Sequence, residues 1–136
     1  NGVPAVVSVG ADDMVNFGPW NTVPEHYQGR NLYRHNPTVT LMRTTVEENE
    51  KIGHAIASKV NMSIGPCAVM LPLKGVSMID AEGQPFYAPE EDAALFKTLG
   101  EEIDPTKAEL IEIGTHVNDD EFAIAAAQKL IDLMNK

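Results

Sequence analysis

Cysteine occurs once in these 136 residues, at Cys67. A disulfide framework within one chain is thereby excluded, and a reducing, cytoplasmic compartment is the expectation. Basic residues are scarce too: 10 Lys and Arg stand against 20 Asp and Glu, a formal net charge of -10. Wrapping nucleic acid or adhering to an anionic membrane takes clustered Lys and Arg, so neither is an expected partner, and any bound phosphate needs a local basic pocket. The sequence has no apolar run long enough to span a bilayer and no positively headed signal segment. Internal repeats, low-complexity stretches and internal linkers are also lacking. What remains, 43% hydrophobic and 22% charged, is one soluble domain's worth of chain with enough apolar matter for its own core. Cys67 lies between Gly65-Pro66 and Ala68-Val69-Met70 and has no histidine beside it in sequence, so it reads as a small buried residue and not as a catalytic thiol.

Five apolar runs have strand length: Ala5 to Val9, Leu32 to His35, Val39 to Arg43, Ala68 to Leu71 and Leu110 to Gly114. Each is followed by polar or glycine punctuation. Helical patterns lie between them. The first opens at Thr44-Thr45-Val46-Glu47-Glu48, where a threonine has a glutamate three residues on to complete a capping box, and carries Ile52, Ile56 and Val60 on one stripe. Gly53 within it suggests close packing onto the sheet. A second helix is expected over Pro89 to Leu99, and a third after Asn118-Asp119-Asp120-Glu121, burying Phe122, Ala126, Leu130 and Leu133 with Lys129 and Lys136 outward. A short turn at Thr22-Val23-Pro24-Glu25 closes at Gly29. Strands alternating with helices at these lengths predict an α/β domain, a Rossmann-like three-layer sandwich with a mainly parallel sheet.

In such a sheet the carboxyl ends of the strands face the ligand. The clusters placed there are Asp12 to Asn16, His35-Asn36, Arg43-Thr44-Thr45, Lys74-Gly75-Val76-Ser77, and His116 with Asn118. Arg43, Thr44 and Thr45 could hold an anion at a helix N-terminus, or simply cap that helix. Lys74, Gly75 and Ser77 could form a phosphate-binding turn, although the spacing is not that of a P-loop. Asp12 and Asn16 could face a ribose or a magnesium ion; of the adjacent Asp12 and Asp13 one should point to solvent, so a two-carboxylate site would need a partner elsewhere, such as Asp80. His35 and His116 are the candidates for acid or base work. Local zinc-ligand pairs and a serine nucleophile elbow are missing, so no resident metal or hydrolase triad is expected. Phe17 and Trp20 read as staples of the long loop Gly10 to Trp20.

The loop Gly10 to Trp20, with Thr22-Val23-Pro24-Glu25, His35-Asn36-Pro37, Leu41-Met42-Arg43-Thr44-Thr45 and Leu71-Pro72-Leu73-Lys74-Gly75-Val76-Ser77, resembles the Tm-one-like family over nearly the whole chain, as far as His116-Val117-Asn118-Asp119. That resemblance implies an ATP-binding protein of two Rossmann-like halves, some members carrying a further TIM barrel, with this chain as the carboxyl-terminal half. It implies no catalytic residues. The opening Asn1-Gly2-Val3-Pro4, without an initiator methionine, suits a piece of a longer protein whose amino-terminal half is then a partner. Three functions follow as expectations: a nucleotide-associated domain taking ATP with magnesium, a small-molecule enzyme acting on an acyl or keto acid through His35 or His116, and a scaffold that forms homo-oligomers.

Overall fold

In the computed structural model, which describes residues 2–135, the elements run β1 (Ala5–Ser8), β2 (Met14–Phe17), β3 (Leu32–Asn36), β4 (Val39–Arg43), α1 (Val46–Val60), β5 (Cys67–Pro72), α2 (Pro89–Glu102), β6 (Glu109–Ile113) and α3 (Asp120–Met134). Single 3-10 turns sit at Trp20–Thr22 and Glu25–Tyr27. The fold is α/β. Its centre is β5, buried at every position, with β1 and β6 paired to it in parallel on either side.

The period of two along a strand sets the two faces of this sheet. Cys67, Val69 and Leu71 turn one way together with Ala5, Val7 and Leu110, into a core shared with Ala57 and Val60 of α1 and Leu95 and Leu99 of α2. Ala68 and Met70 turn the other way, toward α3, which buries Phe122 and Leu133. An ion pair from Lys129 to Glu109 fastens α3 beside the edge strand. Lys129 is accordingly drawn inward while Leu130 stays exposed, the reverse of the sequence expectation. Lys136 lies outside the described residues. Among the described residues no helix is long and apolar enough to cross a membrane.

The expected mainly parallel sheet needs correction. β2, β4 and β3 form a separate antiparallel sheet in that order. The physical reason is the connection between β3 and β4: Pro37-Thr38 gives only a tight turn, with the Asn36 carboxamide accepting from the Thr38 N–H at 2.9 Å, and parallel strands need a crossover of a dozen residues or more. β2 lies inside the segment read as a loop, and its burial pattern is partial at both ends and exposed between. The aromatic staples are also placed differently. Trp20 remains exposed with the Arg34 guanidinium 5.0 Å from its ring centre, while Phe17 meets Tyr27.

Helix α1 starts as its sequence dictates. The Thr45 hydroxyl accepts from the Glu48 N–H at 3.3 Å and the Glu48 carboxylate accepts from the Thr45 N–H at 2.9 Å. Arg30 grips the same carboxylate at 2.6 Å, which holds Glu48 below the ordinary glutamate range. Thr45→Ala should therefore cost about 1 kcal/mol, read as a lowered urea midpoint with an unchanged slope. Gly53 answers a close approach, but to α2 and not to the sheet: a β-carbon there would lie 2.8 Å from Cβ of Thr98.

Candidate functional site

The polar clusters after β5 and β6 meet at one cleft beyond the carboxyl ends of the parallel strands, and the chain leaving β1 is tied to them through its backbone. The chain leaving β1 turns at Ala11, whose N–H donates to the Val76 carbonyl at 2.8 Å. The chain leaving β5 is tied to the chain leaving β6 by Lys74 N–H to the Thr115 carbonyl and by Val117 N–H to the Gly75 carbonyl, both at 3.0 Å. Between these loops and the first turns of α2 opens a cleft of about 670 Å³. Lys74, Gly75, His116 and Asp119 line one side of it; Glu82, Tyr87, Asp92 and Phe96 line the other. A cleft of this size is in the range used for small-molecule ligands. Lys74 is exposed at it and is the cation of its lining.

His116 is a fixed part of this wall. Its Nδ1 accepts the Asn118 N–H at 3.1 Å, so the proton sits on Nε2, which donates to the Ser77 carbonyl at 2.8 Å. Both ring nitrogens are engaged with backbone, and the ring bridges the loops after β5 and β6. Acid or base work by His116 would first require one of those bonds to break. Asp119 accepts the His116 N–H at 2.8 Å, which fixes the turn that leads into α3.

Arg43, expected to face phosphate, is closed inside the protein. Its Nη2 lies 2.6 Å from Asp92 and 3.5 Å from Asp80 and also reaches the Ala88 carbonyl. Its Nε donates to the Phe86 carbonyl at 2.9 Å, and its Nη1 to the Thr44 hydroxyl at 3.1 Å. Thr44 is thereby also engaged, and the Thr45 hydroxyl caps α1. One guanidinium from β4 thus holds the irregular segment 80–88 and the first turn of α2, the parts that carry the far wall of the cleft. Burial pushes the Asp92 carboxyl up to about 7 against the opposing pull of Arg43, with Asp80 competing for the same cation.

A second cleft, of about 400 Å³, lies on the other side of the Ser77–Ile79 turn. Asn16, His35 and Asn36 line it beside Met14, Leu41 and Met78. His35 and His116 therefore belong to different clefts, and Asn16 is apart from Lys74. Ser77 is buried and donates to Asp13 at 2.7 Å. Burial raises the Asp13 carboxyl above the ordinary range, and burial with the adjacent Asp13 raises Asp12. Asp12 lines neither cleft. Among the described residues no group of three His, Cys, Asp or Glu side chains is placed to hold a metal ion.

Reading the sequence alone missed Glu82, Tyr87, Asp92 and Phe96 as cleft residues. Asp92 and Phe96 were legible only as a helix's first turn and its apolar stripe, and nothing in the stretch Ile79 to Tyr87 has a period that would place it over the sheet edge.

The sequence matches the family described as "Uncharacterised protein family (UPF0261) C-terminal domain" over residues 1–134. It is 57% identical over 135 residues, 99% of its own length, to a UPF0261 protein of Clostridium tetani, and 49% identical over 98% of its length to a UPF0261 protein of Rhizobium meliloti. It is 42% identical over 98% of its length to the ToMV resistance protein Tm-1 of Solanum lycopersicum. The chain spans 33% and 34% of the two bacterial relatives and 18% of the tomato protein.

Proposed function

We propose that this chain, which belongs to the UPF0261 family as its C-terminal domain, binds a nucleoside phosphate of the ATP class in the cleft at Lys74. The observation that carries the reading is the position of that cleft. It opens at the carboxyl ends of β5 and β6, where Rossmann-like sheets receive ligands, with a lysine on one wall and the rings of Tyr87 and Phe96 on the other. The ammonium of Lys74 pairs with phosphate. The aromatic wall takes the base, and the Glu82 carboxylate accepts from ribose hydroxyls. Arg43, Thr44 and Thr45 are left out because their donors and hydroxyls are engaged within the fold.

The rim is acidic, with Glu82 across the cleft from Lys74 and Asp119 on the same wall as the lysine. A bare triphosphate is repelled there and its magnesium complex much less so. Magnesium arrives on the phosphates, because Asp119 is engaged with the His116 N–H and Asp92 with Arg43. Calorimetric titration with ATP should give saturable heat, tighter with magnesium than without it. Lys74→Glu should weaken the affinity by about 10- to 100-fold, the worth of a charge-assisted hydrogen bond. Absence of heat at millimolar ATP, both for this chain and for the longer polypeptide with magnesium present, overturns the reading.

A further inference from the structure

Helix α3 is apolar on the side it turns away from the sheet. Phe122 and Leu133 are buried beneath it, yet Ile124 is 68% exposed, Ile131 50% and Met134 67%. With 3.6 residues per turn, Ala123, Ile124, Ala127, Leu130, Ile131 and Met134 fall on one outward stripe ~120° wide, as wide as the apolar face an amphipathic helix ordinarily buries. Of its polar residues, Glu121, Gln128 and Asp132 lie on one flank, Lys129 turns inward to Glu109, and Asp120 stands at the N-terminal end of the stripe.

We infer that this stripe is an interface within the longer polypeptide, covered by the portion that accounts for the other two thirds of the bacterial relatives. Two observations choose that occupant over a second copy of this chain. The first is area: a helix of this length offers a footprint of ~22 Å by ~10 Å. Even doubled for surface relief, this falls short of the ~800 Å² per partner that stable association between separate molecules uses. A domain tethered in the same chain needs less, because the tether supplies a high effective concentration. The second is charge. Two copies would bring together two chains of net charge -10, each presenting Asp120, Glu121 and Asp132 around the stripe. Lys129, the basic residue among the described residues of α3, is turned to Glu109.

The test is thiol labelling of Ile124→Cys in the longer polypeptide, its cysteine-bearing peptide identified by mass. Cys67 is buried and gives little background. The expected result is labelling at least tenfold slower than in denaturant, unchanged on hundredfold dilution, while the same residue in the 136-residue chain labels quickly. Labelling in the longer polypeptide as fast as in denaturant overturns the inference. So does protection that vanishes on dilution, which assigns the stripe to a second copy. A companion variant, Ile131→Asp, should restore fast labelling at position 124 in the longer polypeptide; continued protection there counts against the interface as well.

Discussion

Arg43→Met is expected to lower the stability of this domain by about 3–5 kcal/mol, because it removes the cation from a buried ion pair and leaves carboxylates behind. Methionine follows the arginine stem as far as Nε, so the packing of the stem is retained. What goes is the one group that reaches Asp80, Asp92 and the carbonyls of Phe86 and Ala88 at once. A domain of this size has roughly 5–15 kcal/mol in all, so the variant should be partly unfolded near 37 °C by circular dichroism, with a much reduced urea midpoint. The loss should also depend on pH. Without the guanidinium the buried carboxyls become tolerable only when protonated, so the deficit at pH 8 should exceed that at pH 5.5. A deficit equal at both values would mean that Arg43 acts through its carbonyl contacts alone.

The same group of charges gives the native protein a defined pH response. Asp92 has an ordinary value of 3.8 in the unfolded chain and about 7 when folded, so between these values the folded state holds a proton that the unfolded state has released. The stability this contributes is full below about pH 4 and is lost as pH rises to about 7, after which the curve is flat in this group. Asp12 and Asp13, also raised, slope the same way. Glu48, lowered by Arg30, acts in the opposite sense: its contribution is present above the ordinary glutamate value and is lost only as pH falls below it. Asp92→Asn keeps an acceptor for Arg43 and should flatten the decline between pH 5 and pH 8.

The sequence carries the elements whose cause is local and hides those whose cause is tertiary. The capping box at Thr45, the proline at the start of α2 and the wholly apolar run around Cys67 each have a short-range signature, and all three elements could be read in advance. The partition of six strands between two sheets could not. An apolar run such as Val39–Arg43 reads the same whether its neighbours are parallel or antiparallel, and only the shortness of the Pro37-Thr38 connection decided it. The site divides similarly. Lys74, Gly75 and His116 follow parallel strands and do meet at one rim. Arg43 follows an antiparallel strand, and its charge is answered by Asp80 and Asp92, 37 and 49 residues further along the chain, a pairing for which no spacing rule exists.

Gly75→Ala should be as damaging as the loss of Arg43, and at the cleft itself. Gly75 has φ +129°, a conformation that side chains rarely adopt, and a β-carbon there would lie 1.9 Å from the Asp80 carbonyl oxygen and 2.7 Å from Cδ2 of His116. Neither neighbour can give way cheaply. Asp80 is held by the Val76 N–H and faces Arg43, and the His116 ring is held at both nitrogens. The strained backbone is worth about 1–3 kcal/mol and the overpacking about 1–3 kcal/mol more. Gly83→Ala separates these two costs. Gly83 also has positive φ, at +82°, but an added β-carbon meets nothing within 4 Å, so about 1–2 kcal/mol is expected there and no change in ATP titration. Should Gly75→Ala fall no further than Gly83→Ala in urea, the turn after β5 is softer than its contacts imply. The wall formed by Lys74, Gly75 and His116 would then not be the rigid one on which the nucleotide reading relies.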